Sequence, residues 1–277
     1  MKKAVFWLIV IVLLVVWVRS GEKKKLSESQ PVPPPAATPQ PSPSPSPTPL
    51  SFADMTRLYG PCARVAVLMY HHIQPEPEAK EKRQTALSTT PEFFRRHLEY
   101  LRQKGYVVIK PAHLARFFAT GEKLPEKAAI ITLDDGYADA YVYALPILRD
   151  MGLAATVFLP TGLVDNPGYL TWNQVSQMQG SSLVEFANHT WSHRSSYGPE
   201  AVERREIDTA DVQLTERGLN VDKVFAYPYG SPSLVVEKIL QQNKYQLAFT
   251  TVPGTAHCQA RRWELPRIRM GNAPLSL

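Results

Sequence analysis

The chain is poor in the residues that build small stapled scaffolds. Two cysteines in 277 residues exclude a disulfide-dense fold and any all-cysteine zinc cluster. Charged side chains make up only 20% of the sequence against 44% hydrophobic, so the chain is no disordered polyelectrolyte and can bury a substantial core. No Gly-rich phosphate loop follows the first apolar run at Val65–Tyr70, which speaks against nucleotide binding. No internal repeat is present. One-signed charge is missing from most of the length as well. Of the formal net charge of +6, residues 1–50 carry +4, six Lys/Arg against Glu22 and Glu28. The remainder balances 25 basic against 23 acidic side chains, which gives little electrostatic reason to bind nucleic acid.

What is present is ordered along the chain. Lys2 and Lys3 precede fifteen uninterrupted apolar residues, Ala4 to Val18. At about 1.5 Å per residue these span roughly 22 Å, between a signal-peptide core and a short membrane anchor. A buried soluble helix is disfavoured, because the stretch has no polar face. Residues 1–25 therefore read as a membrane anchor or signal segment, and the lack of a clear Ala-x-Ala site favours the anchor. Residues 31–49 hold ten of the 25 prolines and favour extended polyproline II. Residues 26–60 are accordingly expected to be an extracytoplasmic linker and residues 61–277 the folded domain, in the cell envelope.

From Val65 onward short apolar runs alternate with amphipathic segments. Val65–Tyr70, Val107–Ile109, Ala129–Leu133, Ala155–Leu159, Val184–Ala187, Val224–Tyr227 and Leu247–Thr250 read as strands covered on both sides. Helices are expected from Pro91 (capped by Thr90) to Gly105, and over 138–151, 171–179, 199–217 and 234–243. About seven β/α units predict an α/β fold, a distorted parallel (β/α)7-type barrel, with an open doubly wound sheet as its rival. Such a barrel carries its chemistry after the C-terminal ends of its strands.

Those strand ends are unusual. Asp134-Asp135-Gly136 follows one of them, and two adjacent carboxylates are costly to bury unless something uses them. A solvated turn is the plain alternative. His189 and His193 follow another, four residues apart and able to grip one ion. Two His and one Asp leave coordination positions open, as a catalytic zinc site requires. His71-His72 and Tyr227-Pro228-Tyr229-Gly230 follow two more, where a histidine could act as general acid and the aromatic turn could wall a sugar-sized pocket. Either could equally be packing at a barrel mouth. Cys62 and Cys258 flank the first and last barrel elements, and closure would bring them together as a disulfide or as two free thiols.

ITLDDGYADAY, HTWSH and FAYPYG resemble the first three motifs of the polysaccharide deacetylases of carbohydrate esterase family 4 (NodB-like). VLMYHHI resembles the circularly permuted branch that includes bacterial poly-N-acetylglucosamine deacetylases, where the histidine comes early. The resemblance spans roughly residues 64–270. It implies a metal-dependent hydrolase that removes N-acetyl groups from a surface or cell-wall polysaccharide. The implied ion is divalent, zinc before cobalt, nickel or ferrous iron. By position, Asp134 is the implied base, Asp135, His189 and His193 the metal ligands, and His71 the acid, with His72 orienting the loop. Tyr229 is the implied source of an oxyanion-binding N–H, and Trp172 resembles the aromatic beside the acetyl methyl. The commoner third motif has an arginine where Ala226 and Tyr227 stand, so Arg267 or Arg269 of the last strand is expected to orient Asp134. The substrate partner is thus an N-acetylated polysaccharide, with the membrane held through the N-terminal segment and no nucleic acid. The alternatives are a catalytically impaired glycan-binding domain, whose only support is the displaced arginine, and a metal phosphoesterase.

Overall fold

The computed structural model describes residues 50–277. The apolar run 4–18 and the proline-rich run 31–49 lie outside the described residues, among which no helix is long and apolar enough to cross a membrane.

Seven parallel strands close on themselves. They are β1 (Cys62–Tyr70), β2 (Ala128–Leu133), β3 (Ala155–Leu159), β4 (Val184–Asn188), β5 (Val224–Ala226), β6 (Leu247–Pro253) and β7 (Leu265–Arg269). Each pairs with the next, and β7 returns to β1 through Leu68↔Ile268 and Met69↔Arg269. The ring is uneven. β1 and β2 share six aligned pairs, whereas β4 and β5 share only Asn188↔Phe225, and the register slips between Leu265 and Arg267. This is a distorted (β/α)7 barrel.

Alternation sorts the side chains into two layers. Val65, Val67, Ile130, Phe158, Ala187, Ala226, Phe249 and Leu265 form one cluster, the barrel interior. Leu68, Tyr70, Ile131, Leu133, Val157 and Phe186 turn the other way and pack with Phe94, Leu98, Leu145 and Leu148 of the surrounding helices. The helix ends fall where local chemistry puts them. The Thr90 side chain accepts from Phe93 N–H at the start of Pro91–Gln103, and Gly105 and Gly152 take φ of 74° and 65° beyond their helices.

Three expectations need correction. Val107–Ile109 is no barrel stave: only Val107 and Val108 pair, alongside the start of β2, and the seventh stave is β7. Thr255–Gln259 is not a plain loop, since Ala256–Cys258 pairs antiparallel with β1. A capped helix, Phe52–Tyr59, occupies the end of the segment read as linker, with Phe52 under the Arg64 guanidinium. Its side chains are too few and too mixed to announce a helix beside so much proline.

Cys62 and Cys258 face each other in that antiparallel pair and form a disulfide. His257, between them and the core, is fully buried and donates from Nε2 to Val65 O (3.0 Å). Burial pulls its pKa down to about 4. The fold therefore holds it neutral, and its contribution is complete above the unfolded value of about 6.5 and lost as pH falls toward 4. At about 1.4 kcal/mol per unit the full loss approaches about 3 kcal/mol. Urea titrations at pH 7 and pH 4.5 should show a larger drop in the wild type than in His257→Gln, and equal drops would remove His257 as the source.

Candidate active site

The inward phase of β1 that carries Val65 and Val67 also carries His71, one residue past the strand. His72 falls on the outward phase with Leu68 and Tyr70. Its Nδ1 lies 2.6 Å from Asp139 Oδ2, and its ring stacks on Tyr137 at 3.6 Å. Asp139 also accepts from Ile73 N–H, so His72 fastens the turn after β1. His71 remains half-buried at the mouth. Burial pushes its pKa below the ordinary value, against the opposing pull of Asp134 and Asp135. Arg267 and Arg269 add to the lowering.

Asp134 continues the inward phase of Ile130 beyond β2 and is buried. Arg267, in phase with Leu265, meets it inside the barrel. Nη1 reaches Asp134 Oδ1 at 2.7 Å and Nη2 reaches Oδ2 at 2.6 Å, a fork-on-fork pair. The remaining donors go to Thr132 Oγ1 (3.1 Å) and Thr250 O (2.8 Å), and Phe158 lies 5.5 Å beneath the guanidinium. Arg267 is 0% exposed. Burial alone would raise the Asp134 carboxyl, but the Arg267 charge and hydrogen bonds outweigh it and hold the pKa below the ordinary value.

By alternation Asp135 should point away. Its φ of 71° turns it back instead, and the following Gly136 is also left-handed, where a Cβ would strike Leu159 at 2.4 Å. Asp135 Oδ1 thereby lies 2.9 Å from His193 Nε2 and 3.3 Å from His189 Nε2. One ligand atom from each residue falls within 4.8 Å of the other two. His189 Nδ1 sits 2.7 Å from Ala226 O, so it carries the proton and leaves the Nε2 lone pair facing Asp135. Burial would raise Asp135, yet the two imidazoles hold it far below the carboxylate range. A buried carboxylate with two in-facing imidazole nitrogens fits a divalent ion of zinc type.

Tyr229 joins this group. It takes φ 60° and lies 4.9 Å from the His193 ring, largely exposed at the mouth. Two expected site residues do not join. Trp172 opens the helix Trp172–Gly180 and lies against the Arg217 guanidinium at 3.9 Å, on the outside of the barrel. A helix N-terminus outside the ring gave its side chain an outward cation to cover. Arg269 is exposed at the rim and donates to Ala86 O (3.2 Å), because β7 has by then run past the barrel interior. Sequence reasoning missed Asp139, Tyr137 and Glu206. Asp139 had a legible signal, a third acid five residues after Asp134; Glu206 had none.

A closed parallel barrel with an Asp-His-His cluster and an ionised carboxylate at its strand ends defines a metal-dependent hydrolase architecture. Residues 121–248 match the polysaccharide deacetylase family model. It is 28% identical over 251 residues to the poly-β-1,6-N-acetyl-D-glucosamine N-deacetylase of Escherichia coli K12, covering 75% of this chain but only 36% of that one. The deacetylase PplD of Streptococcus pyogenes, solved with acetate, superposes with TM-score 0.69 at 28% identity, over 75% of this chain and 92% of that one. IcaB of Ammonifex degensii gives 0.66 at 25%, over 75% and 91%.

Proposed function

We propose that the chain hydrolyses N-acetyl groups of an N-acetylglucosamine polysaccharide. The observation that carries this reading is the buried Arg267–Asp134 pair beside the convergent Asp135, His189 and His193 atoms. An ion held by those three ligands would supply Lewis-acid polarisation of the amide carbonyl. Asp134, kept ionised and fixed in plane by Arg267, takes a proton from the attacking water. His71, half-buried on the same side, gives a proton to the departing amine, and the Tyr229 backbone N–H faces the developing oxyanion. The decisive experiment is acetate release from fragments of poly-β-1,6-N-acetylglucosamine, peptidoglycan and chitin. Release from none of them, with zinc bound, would leave a glycan-binding barrel.

The N-terminal anchor, the proline-rich spacer and the domain from about residue 61 are proposed as a tethered arrangement on the extracytoplasmic face. The Cys62–Cys258 disulfide supports an oxidising compartment. Cell fractionation with protease accessibility tests it: signal confined to the cytosol would end the proposal.

A second expected result separates the two histidines. His71→Ala should lose activity on the order of 10²- to 10⁴-fold while keeping its ion, the range for a general acid. His72→Ala should lose stability more than rate, because it undoes the Asp139 contact. Equal losses in kcat would show that His71 is not the proton donor.

A further inference from the structure

We propose that Glu206 is a positioning residue for the metal site: a buried carboxylate that clamps Ser192 and so holds His193 where it can ligate. The proposal rests on the Asp135–His189–His193 reading above.

Outside a helix, two imidazoles four residues apart meet one ion only where the chain between them bends, and residues 189–193 form no helix. Here the bend uses Thr190 at φ 67° and His193 at φ 59°. For the β-branched Thr190 this region is strongly disfavoured, and histidine enters it more readily than most residues but still uncommonly, so such backbone persists only where the surroundings hold it. The first half of the loop is held locally. Thr190 N–H donates to Asn188 Oδ1 (2.8 Å), and the loop carbonyls of Thr190 and Trp191 accept from Thr161 and Gly162 N–H at 3.2 and 2.7 Å. Gly162 is required there, since a Cβ would meet the Trp191 ring at 2.6 Å.

The second half is held at His193 N–H, which donates to Thr190 Oγ1 at 3.1 Å, and at Ser192 by a side chain from another element. Ser192, next to His193, gives both of its donors to Glu206: N–H to Oε2 at 2.7 Å and Oγ–H to Oε1 at 2.8 Å. Glu206 lies on the helix Glu200–Thr215, whose Ile207, Ala210 and Leu214 form its apolar, core-facing side. An acid in such a layer, 5% exposed, is costly unless its oxygens are used, and among the described residues it has no ion-pair partner. The neighbouring Ile207 carbonyl accepts from Asn188 Nδ2 at 3.1 Å. Residues 206 and 207 thus grip both ends of the ligand loop, at Ser192 and at Asn188. A glutamine can accept the Ser192 N–H and meet Oγ only by donating to it, so it replaces two charge-assisted hydrogen bonds with weaker neutral ones.

Glu203 supplies the control. It shares the helix, is 1% exposed and accepts from Gly198 N–H at 2.6 Å, beyond the ligand loop. The test uses the purified protein, stripped of metal and titrated with Zn2+ against a chromophoric chelator, with thermal midpoints of the metal-free forms. Glu206→Gln is expected to weaken zinc binding by about 10- to 100-fold, the range for partners that orient a ligand. Ser192→Ala, the milder change, should shift it in the same direction, and it carries the test if Glu206→Gln does not fold. Glu203→Gln should lower the thermal midpoint and leave zinc affinity at the wild-type value. Wild-type affinity in Ser192→Ala and in any folded Glu206→Gln, or an equal loss in Glu203→Gln, overturns the clamp. His193→Ala distinguishes this from a failure of the site itself. If that variant binds zinc as tightly as the wild type, the Asp-His-His reading falls and the clamp with it.

Discussion

Alanine at Asp135, His189 or His193 is expected to abolish both zinc retention and acetate release while the barrel stays folded. These three side chains stand at strand ends and not in the apolar layers, so their loss opens no cavity among Val65, Ile130 and Phe249. They are also the group of three whose ligand atoms converge among the described residues. Removing one ligand from a three-ligand site leaves too few to hold the ion in place. Asp134→Asn should differ in kind. It keeps the ion, because Asp134 is not one of the three, and loses rate on the order of 10²- to 10⁴-fold with the base. Metal analysis of the purified variants, paired with an acetate assay, reads both quantities. Full zinc occupancy in any of the three alanine variants would strike that residue from the ligand set.

Arg267→Met is expected to have the second-largest effect, on stability and on the pH profile together. Asp134 is ionised inside the barrel chiefly because the guanidinium offsets its burial, with smaller help from His189 and His71. Removing one partner of a buried pair costs about 3–5 kcal/mol, since the remaining charge is left without compensation. The pKa of Asp134 should rise, and a base must be ionised to work. The acidic limb of the pH–rate profile therefore moves to higher pH. The double variant Asp134→Asn/Arg267→Met should recover part of the lost stability and none of the activity, because no stranded charge remains. Arg269→Met, at the exposed rim, should leave both the limb and the melting temperature near wild type. An unshifted limb in Arg267→Met would mean that something else orients Asp134.

The rhythm of apolar runs was enough to give a parallel α/β sheet covered on both faces, and only the pairing of β7 with β1 decided for a closed barrel over an open doubly wound sheet. The site residues were legible for a related reason. Carboxylates and imidazoles directly after such runs are costly anywhere except at a mouth where they are used, so Asp134, Asp135, His189 and His193 stood out one strand at a time. Alternation allowed only one of His71 and His72 to face the mouth, and the resemblance of VLMYHHI to the permuted branch selected His71. Other features were not legible. Val107–Val108 and β7 are both short and apolar, and only ring closure decides which is a stave. Trp172 looked like a pocket wall because its neighbours matched, yet the partner it found was Arg217.

By itself, then, the sequence determined which ionisable side chains would stand at which strand ends, since periodicity and local cost are properties of neighbouring residues. Tertiary structure alone decided how they meet. Asp135 reaches the histidines through a left-handed φ that alternation argues against, Arg267 meets Asp134 across 133 positions of chain, and Glu206 reaches Ser192 from a helix with no motif. The Arg267–Asp134 contact depends on closure of the ring, the others on how neighbouring elements pack, and neither is a property of the residues adjacent in sequence.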